Sequence, residues 1–328
     1  MTNKKRTGDL MKIPSLIAAA AVIALPAWAQ SAKFPDRMVR IIVPFAAGGG
    51  VDSTARLVAN QLQTQLGVSV IVENRAGANG VLGGKAVQTA ANDGYTLLFS
   101  AATHVLAKQV LSNAPYDPVV DFAPVARVAE APLMLVIAPR LEAQKLPELL
   151  AAAKQTTWTA AIPAAGAPSH LATLLLAKQG NVTFSFVPYK GTQPALVDVA
   201  GGHVQLLLDS MISVLPLAKA GRVKPIAITS PRRSPLAPDV PTAQESGLPG
   251  LTYASWYGVW APKGTAPERV QLLNKAINAS VNELAKSGAF ASLGIDPVSQ
   301  DADQFTRYIT GYVSQSADLL KNAGFKPE

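Results

Sequence analysis

The chain has 328 residues, of which 49% are hydrophobic, and a formal net charge of +8. A chain of this length and composition can bury a large core, and its length favours about two domains over one. It has no cysteine, which excludes disulfides and thiol chemistry, and its basic residues are scattered, which argues against a nucleic-acid-binding protein.

The amino-terminal residues have the pattern of an export signal. Four basic residues come before or at the start of an apolar run over 13–26, and the small residues Ala27 and Ala29 follow it. The run is short for a membrane span, so we predict a signal peptide over residues 1–29, cleaved near Ala29 and before Gln30. A membrane anchor is the alternative, and Met11 is an alternative start. Cleavage lowers the formal net charge to +5, and the mature protein is expected to be exported.

The mature chain begins with an apolar run from Val39 to Phe45. The run is too continuous for a strand with one wet face, which predicts a parallel strand covered on both faces. A helix is predicted over 53–66, with Asp52 as its cap and Gly67 as its end. A strand over 68–72, a helix to about residue 91 and a strand over 96–100 complete a βαβαβ unit of an α/β protein.

The middle of the chain repeats this alternation. We predict helices over 146–154, 169–179 and 193–200 and strands over 158–162, 183–187 and 204–208. Long apolar stretches at 122–139 and 251–264 suit strands that carry the chain between lobes, and helices over 266–284 and 303–322 follow. The predicted organisation is lobe 1 over 30–130 and 253–328, lobe 2 over 131–252, and a two-strand hinge between them.

Small and polar residues dominate the loops that follow the predicted strands, at 45–52, 73–80, 100–103, 163–169, 189–193 and 209–210. In α/β sheets a ligand binds beyond the carboxyl ends of the strands, where helix N-termini present free N–H groups. Such loops suit a carboxylate bound without a salt bridge. The run Gly48-Gly49-Gly50 is weak evidence by itself, because a permissive turn has the same composition. Asp52 suits a helix cap better than a ligand contact.

Other kinds of site find little support. The three histidines have no carboxylate at metal-ligand spacing, so we predict no metal and no cofactor. Ser169, His170 and Asp209 raise the alternative of an exported hydrolase. Adjacent residues at a helix start point in different directions, however, and no G-x-S-x-G motif is present, so we predict that the protein is not an enzyme.

Three aromatic residues, Trp256, Tyr257 and Trp260, lie in the second long apolar stretch. Large aromatic side chains in such a stretch most often pack in the core. We therefore predict packing on the returning strand, with a position at the border of the cleft as the alternative for one of them.

Six segments carry a resemblance to a known family. They are FPDRMVRIIVPFAAGGGVDSTAR, VIVENRAGANGVLGGKAV, DGYTLLF, VPYKGTQPALVDVAGGHV, AGRVKPIAITSPRRSPLAPDVPTAQESG and WYGVWAPKGTAPERV. Through them the mature chain resembles the extracytoplasmic solute receptors of tripartite tricarboxylate transporters, the TctC or Bug family. The resemblance implies an α/β, two-lobed periplasmic binding protein (type II, venus flytrap) with two crossover strands. It also implies a small organic acid or amino acid as ligand and a membrane permease as partner, and we expect a monomer.

The resemblance also implies a ligand site. One carboxylate is expected on backbone amides and waters of the 45–52 loop, with the second lobe at the other end of the ligand. The residues implied are Phe45, Ala46, Gly48, Gly49, Asp52, Asn79 and Thr103 from the first lobe and Gly166, Ser169 and Asp209 from the second. The chain departs from the family pattern at Ala47, Ala167 and Leu174, where many members have Pro, Ser or Thr, and Glu.

The hypothesis for mechanism is closure of the second lobe over a ligand held by the first, because some ligand contacts exist only in the closed state. If Asp209 faces the cleft, its charge repels a second carboxylate, which is a hint towards amino acids or monoacids. A periplasmic sensor that reports to a signalling protein has the same fold and pocket, and it stays open as an alternative to a transport receptor.

Overall fold

The computed structural model describes residues 1–3 and 34–327. Apart from residues 1–3, the predicted signal peptide lies outside the described residues, as does its cleavage site. The unit that begins at Phe34 carries the helices and strands given below. Within the described residues, no helix combines the length and apolar composition needed to cross a membrane.

Strands and helices alternate along this unit. The strands are β1 Val39–Val43, β2 Val70–Asn74, β3 Thr96–Ala101, β4 Phe122–Ile137, β5 Trp158–Ile162, β6 Phe184–Pro188, β7 Leu206–Ser210, β8 Lys224–Ile228, β9 Ala254–Pro262 and β10 Asp296–Pro297. The helices are α1 Gly50–Leu66, α2 Val81–Gln88, α3 Ala107–Val110, α4 Leu146–Gln155, α5 Pro168–Gly180, α6 Thr192–Gly201, α7 Met211–Lys219, α8 Pro267–Lys286 and α9 Ala302–Asn322.

The predicted elements are present, with corrections at their ends. Strands β2 and β7 lie two residues later than predicted, so Asp209 and Ser210 end β7 rather than follow it. Helix α2 ends at Gln88, and α3, α7, β8 and β10 were not predicted. Helix α1 begins three residues before the predicted start, because Gly49 is extended and its carbonyl accepts the first helical hydrogen bond from the Ser53 N–H at 2.9 Å. The predicted end is confirmed: Gly67 adopts the left-handed conformation with φ +70° and its N–H caps the Gln63 carbonyl.

Strand β1 lies between two parallel neighbours, β2 and β3. Its side chains alternate between two buried clusters. Ile41 packs in the cluster that includes Leu62 of α1 and Ile277 of α8, whereas Ile42 packs in the cluster that includes Phe305 of α9. The prediction of a parallel strand covered on both faces is therefore confirmed.

A second group of strands has the same construction. Strand β5 pairs in parallel with β6 and β7, and β7 pairs with β4 in the antiparallel direction. Along β7, Leu207 and Leu208 enter opposite buried clusters. Helices therefore cover both faces of this group too, and the carboxyl ends of its parallel strands are left at an open edge.

Two long strands join the groups. Phe122–Pro132 of β4 pairs with β9, whereas Leu133–Ile137 pairs with β7 and β8. Strand β9 runs beside β4 and also pairs with β3. The architecture is thus a two-lobed α/β fold whose lobes share a curled mixed sheet. The proposed lobe boundaries near residues 130 and 253 stay a prediction.

Candidate functional site

A cleft lies where the carboxyl ends of the strands of both groups face each other. It encloses about 490 Å³, including space open to solvent. The residues that line it follow β1, β3, β5 and β6, end β3 and β7, or lie on β9. This position at the carboxyl ends of the strands is the one that α/β sheets use for ligands.

Among the described helices, α1, α5, α6 and α7 all start at this cleft. Gly50, Ser169 and Thr192 lie in the first turns of α1, α5 and α6, and Ser210 directly precedes α7. The first N–H groups of a helix have no acceptor within the helix, and they carry a partial positive charge. The residues lining the cleft in the described chain include no lysine, arginine or histidine. Within this lining, positive charge is therefore offered only by the backbone N–H groups at the helix starts.

Asp52 holds the loop between β1 and α1 in place. It lies in the first turn of α1 rather than at the predicted cap position, which Gly49 occupies. Its carboxylate accepts hydrogen bonds from the Gly48 N–H at 2.9 Å, from Asn74 Nδ2 at 2.9 Å and from Arg56 Nε at 3.1 Å. Burial opposes ionisation, but these hydrogen bonds outweigh it and keep the pKa of Asp52 below its ordinary value. Because Arg56 compensates its charge, Asp52 orients the loop without cancelling the positive helix end.

Asp209 lies on the opposite side of the cleft and is also buried. Its two oxygens accept hydrogen bonds from Thr192 Oγ1 at 2.6 Å and from the Ser210 N–H at 2.7 Å. Burial raises the pKa of Asp209 to about 6, although both hydrogen bonds act in the opposite direction. Asp209 therefore connects the starts of α6 and α7, and it does so without a cation.

Ser169 lies in the first turn of α5 and is 1% exposed. Its Oγ has no hydrogen-bond partner within the described residues, although the side chain lines the cleft. A buried hydroxyl without a partner is costly. Ser169 is therefore a hydrogen-bonding group available to a molecule in the cleft.

The loops on the two sides touch each other. Gln193 Nε2 of α6 donates to the Gly48 carbonyl at 2.6 Å, and Asn79 Nδ2 donates to the Ala165 carbonyl at 2.9 Å. Gly191 has φ +123°, and a Cβ on it would lie 3.5 Å from the Ala46 N atom. The backbone conformation therefore disfavours a side chain there, whereas 3.5 Å is an ordinary van der Waals distance. These contacts join the loops on the two sides of the cleft.

The structure brings most of the predicted site residues together. Those that line the cleft are Phe45, Ala46, Gly49, Asp52, Thr103, Ser169 and Asp209. The other three lie beside it: Gly48 and Asn79 make the contacts between the loops, and the Gly166 N–H donates to His170 Nδ1 at 3.1 Å. Their roles in ligand binding stay a prediction.

Sequence reasoning missed several lining residues. Thr192 and Ser210 belong to the segments 189–193 and 209–210, which were predicted as strand-end loops. In the structure Thr192 begins α6 and Ser210 ends β7. Tyr257 lines the cleft and its hydroxyl donates to Ser210 Oγ at 3.0 Å, whereas Trp256 and Trp260 are buried against Phe305. The predicted packing is thus confirmed for the two tryptophans, and the border position belongs to Tyr257.

The residues of the hydrolase alternative do not form a hydrogen-bonded relay. His170 Nδ1 accepts from the Gly166 N–H, its ring packs against Phe186 and Phe325, and burial lowers the pKa of this imidazole to about 4. Asp209 instead accepts from Thr192. Within the described residues no hydrogen bond joins Ser169, His170 and Asp209, although a catalytic triad requires both links.

Comparison with known proteins shows the family of this chain. The model of the tripartite tricarboxylate transporter family receptor, TctC, matches residues 54–325. Protein BugT of Bordetella pertussis is 37% identical over 321 residues, which are 97% of this chain and 98% of BugT.

Two solved structures are also similar. R. palustris Rpa4515 with adipate is 32% identical with a TM-score of 0.86, over 90% of this chain and 100% of that one. MatC from Rhodopseudomonas palustris with bound malate is 32% identical with a TM-score of 0.80, over 88% of this chain and 100% of that one. The chain therefore belongs to the TctC or Bug family of periplasmic solute-binding receptors.

Proposed function

We propose that this protein is an extracytoplasmic solute receptor that binds a small carboxylate between its lobes and delivers it to a membrane permease of the tripartite tricarboxylate type. The observation that carries the proposal is the convergence of four helix starts on a cleft whose described lining includes no basic side chain. Free N–H groups at helix N-termini bind anions by hydrogen bonding and by the helix dipole. A small organic acid fits this combination.

The ligands of two relatives support the class of compound. The solved structure of Rpa4515 is with adipate, and that of MatC is with bound malate. Both proteins resemble this chain over most of its length. The contacts between Gln193 and Gly48 and between Asn79 and Ala165 support a mechanism of closure, because they join loops that belong to opposite sides of the cleft. Delivery to a permease rests on family membership, as does action in the periplasm.

The proposal does not include catalysis. The cleft supplies anion-binding groups, but Ser169 has no hydrogen-bonded base among the described residues, so the hydrolase alternative lacks an activated nucleophile. A periplasmic sensor is the second candidate, since a receptor for a signalling protein uses the same closure. Co-purification with membrane proteins distinguishes the two candidates, because a transport receptor captures a permease and a sensor captures a signalling protein.

The test is a binding screen on the mature protein. Thermal shift and titration calorimetry are measured with a panel of monocarboxylates, dicarboxylates, tricarboxylates and amino acids, and native mass spectrometry identifies any acid retained during purification. We expect at least one acid to raise the melting temperature and to bind stoichiometrically. Absence of binding across the whole panel would refute the proposal.

A further inference from the structure

We infer that His170, a buried residue that does not line the cleft, is a positioning residue for binding: through a hydrogen bond to its Nδ1 it holds the segment 163–169, which forms one wall of the cleft. The inference rests on the proposed function, since it concerns how the same cleft is shaped for a carboxylate. It follows from the contacts of the histidine ring.

The segment 163–169 connects β5 to α5 and forms a large part of the cleft wall. Five of its seven residues line the cleft, namely Pro163, Ala164, Ala167, Pro168 and Ser169. Its path determines where the first N–H groups of α5 point, and these groups have no acceptor within the helix. It also determines where the Ser169 hydroxyl, which has no partner in the described chain, meets a bound molecule. A residue that fixes this path therefore acts on binding without touching the ligand.

The start of α5 lacks an ordinary side-chain cap. Ala167 occupies the N-cap position and makes no side-chain hydrogen bond there. His170 is the third residue of the helix, and its Nδ1 accepts a hydrogen bond from the N–H of Gly166, the residue before the cap, at 3.1 Å. In a capping box, a side chain at this helix position also accepts from the backbone just before the helix. His170 thus joins the first turn of α5 to the loop that leads into it.

Gly166 needs such a bond, because its backbone has no strong preference of its own. It has φ +69°, in the left-handed region, and a Cβ on it would lie 2.8 Å from Val110 Cγ1 of α3. Glycine fits this position, but it is also free to take other conformations. Asn79 Nδ2 donates to the carbonyl of the preceding residue, Ala165, at 2.9 Å. The loop is therefore held by one side chain from across the cleft and by His170 from its own helix.

The histidine ring is itself fixed by its surroundings. His170 is 1% exposed, and its ring packs edge-on against Phe186 of β6 and against Phe325, which follows α9. The distances from its ring centroid to those of the two phenylalanines are 5.1 Å and 5.3 Å. Turning Nδ1 away from Gly166 would disturb both ring contacts, so the side chain keeps one orientation.

The ring also has the protonation state that this hydrogen bond requires. A ring nitrogen that accepts a hydrogen bond carries no proton, so the proton of the neutral ring lies on Nε2. Burial lowers the pKa of His170 to about 4, which keeps the ring neutral at pH 7. His170 therefore orients the segment by hydrogen bonding and adds no charge near the cleft.

Two substitutions separate the acceptor from the ring. His170→Asn keeps an acceptor, because Oδ1 is as many bonds from Cα as Nδ1, but it loses the ring contacts. His170→Phe keeps a ring and has no acceptor. Titration calorimetry at pH 7 uses adipate, malate and the acid of the binding screen that raises the melting temperature most. We expect His170→Phe to bind about tenfold more weakly than wild type. His170→Asn should stay within about threefold of wild type, although it melts at a lower temperature.

His203→Phe is the matched control. It makes the same exchange at an exposed histidine that does not line the cleft, and it should leave the affinity within about twofold of wild type. His170→Leu, which also lacks an acceptor, takes the place of the phenylalanine variant if that protein does not fold. A role in stability alone predicts the reverse order, in which the asparagine variant loses at least as much affinity as the phenylalanine variant.

Equal affinities of wild type and His170→Phe would overturn the inference, as would an equal loss of affinity in His170→Asn and His170→Phe. In both cases acid binding by wild type leaves the carboxylate receptor intact. If wild type binds no acid of the panel, the proposed function fails and the inference fails with it.

Discussion

The two side-chain hydrogen bonds across the cleft should set how readily it closes. Gln193 Nε2 lies 2.6 Å from the Gly48 carbonyl oxygen, and Asn79 Nδ2 lies 2.9 Å from that of Ala165. Each joins residues from opposite sides of the cleft, so opening must break both. We expect Gln193→Ala and Asn79→Gly to shift the protein towards the open form. Glycine is chosen at 79 because Asn79 has φ +55°, where alanine would add backbone strain.

The magnitude follows from the nature of the bonds. A neutral amide–carbonyl hydrogen bond contributes about 1 kcal/mol net, so the pair contributes about 2 kcal/mol to the closed form. When the ligand-free receptor is mostly open, losing this contribution to the closed form weakens the free energy of ligand binding by the same amount. Each single variant should bind an acid from the screen about 5-fold more weakly, and the double variant about 30-fold more weakly.

Titration calorimetry with one acid across the four proteins measures these ratios, and small-angle scattering of the ligand-free proteins reports the degree of opening. Gln65→Ala is the matched control, because Gln65 is an exposed amide on α1 far from the cleft lining. An unchanged affinity in the double variant, or an equal loss in Gln65→Ala, would show that the contacts across the cleft do not govern closure.

Three further predictions concern single residues of the cleft. Ser169→Ala removes a buried hydroxyl that has no partner among the described residues, so we expect unchanged or slightly higher stability in urea denaturation. We also expect weaker acid binding in titration calorimetry. A loss of stability with unchanged binding would contradict this reasoning. Gly50→Ala places a Cβ 2.8 Å from the Tyr257 Oη, so we expect the free energy of unfolding to fall by about 1–3 kcal/mol. Gly311→Ala is the control, because its Cβ meets no atom within 4 Å, and it should raise the free energy of unfolding by up to about 1 kcal/mol. Equal effects of the two substitutions would refute the clash. Burial gives Asp209 a pKa of about 6 in the folded protein, above its ordinary value of 3.8, so its ionised form opposes folding. Relative to Asp209→Asn, wild type should be most stable below pH 4 and should lose about 3 kcal/mol in the free energy of unfolding as the pH rises above 6. Urea denaturation of both proteins measures this, and a difference that does not change over this pH range would contradict the reasoning.

Local sequence patterns predicted the elements well because each depends on neighbours in the chain. The continuous apolar run at Val39–Val43 indicated a strand covered on both faces, and Gly67 marked the end of α1 because glycine readily takes the left-handed conformation. The start of α1 was placed late, since Asp52 is a good cap residue by type. In the structure Gly49 takes that position, and the Asp52 carboxylate is held by Asn74 and Arg56 instead.

The composition of the strand-end loops also pointed to the cleft, since the carboxyl ends of strands in an α/β sheet face one side whatever the details of packing. Composition does not determine which of those loops touch. Gln193 and Gly48 are 145 residues apart, and Asn79 and Ala165 are 86 residues apart. The position of Tyr257 at the cleft border likewise depends on the register of β9 against β3 and β4.

The sequence by itself determined the alternation of strands and helices, the family and the small, donor-rich loops at one edge of the sheet. Only the tertiary structure decided that four helix starts meet in one cleft, that Asp52 is paired with a cation and Asp209 is not, and that two amides bridge the opposite sides. The reason is physical: periodicity and capping act over a few residues, whereas the electrostatics of a cleft between two lobes arises from groups that only folding brings together.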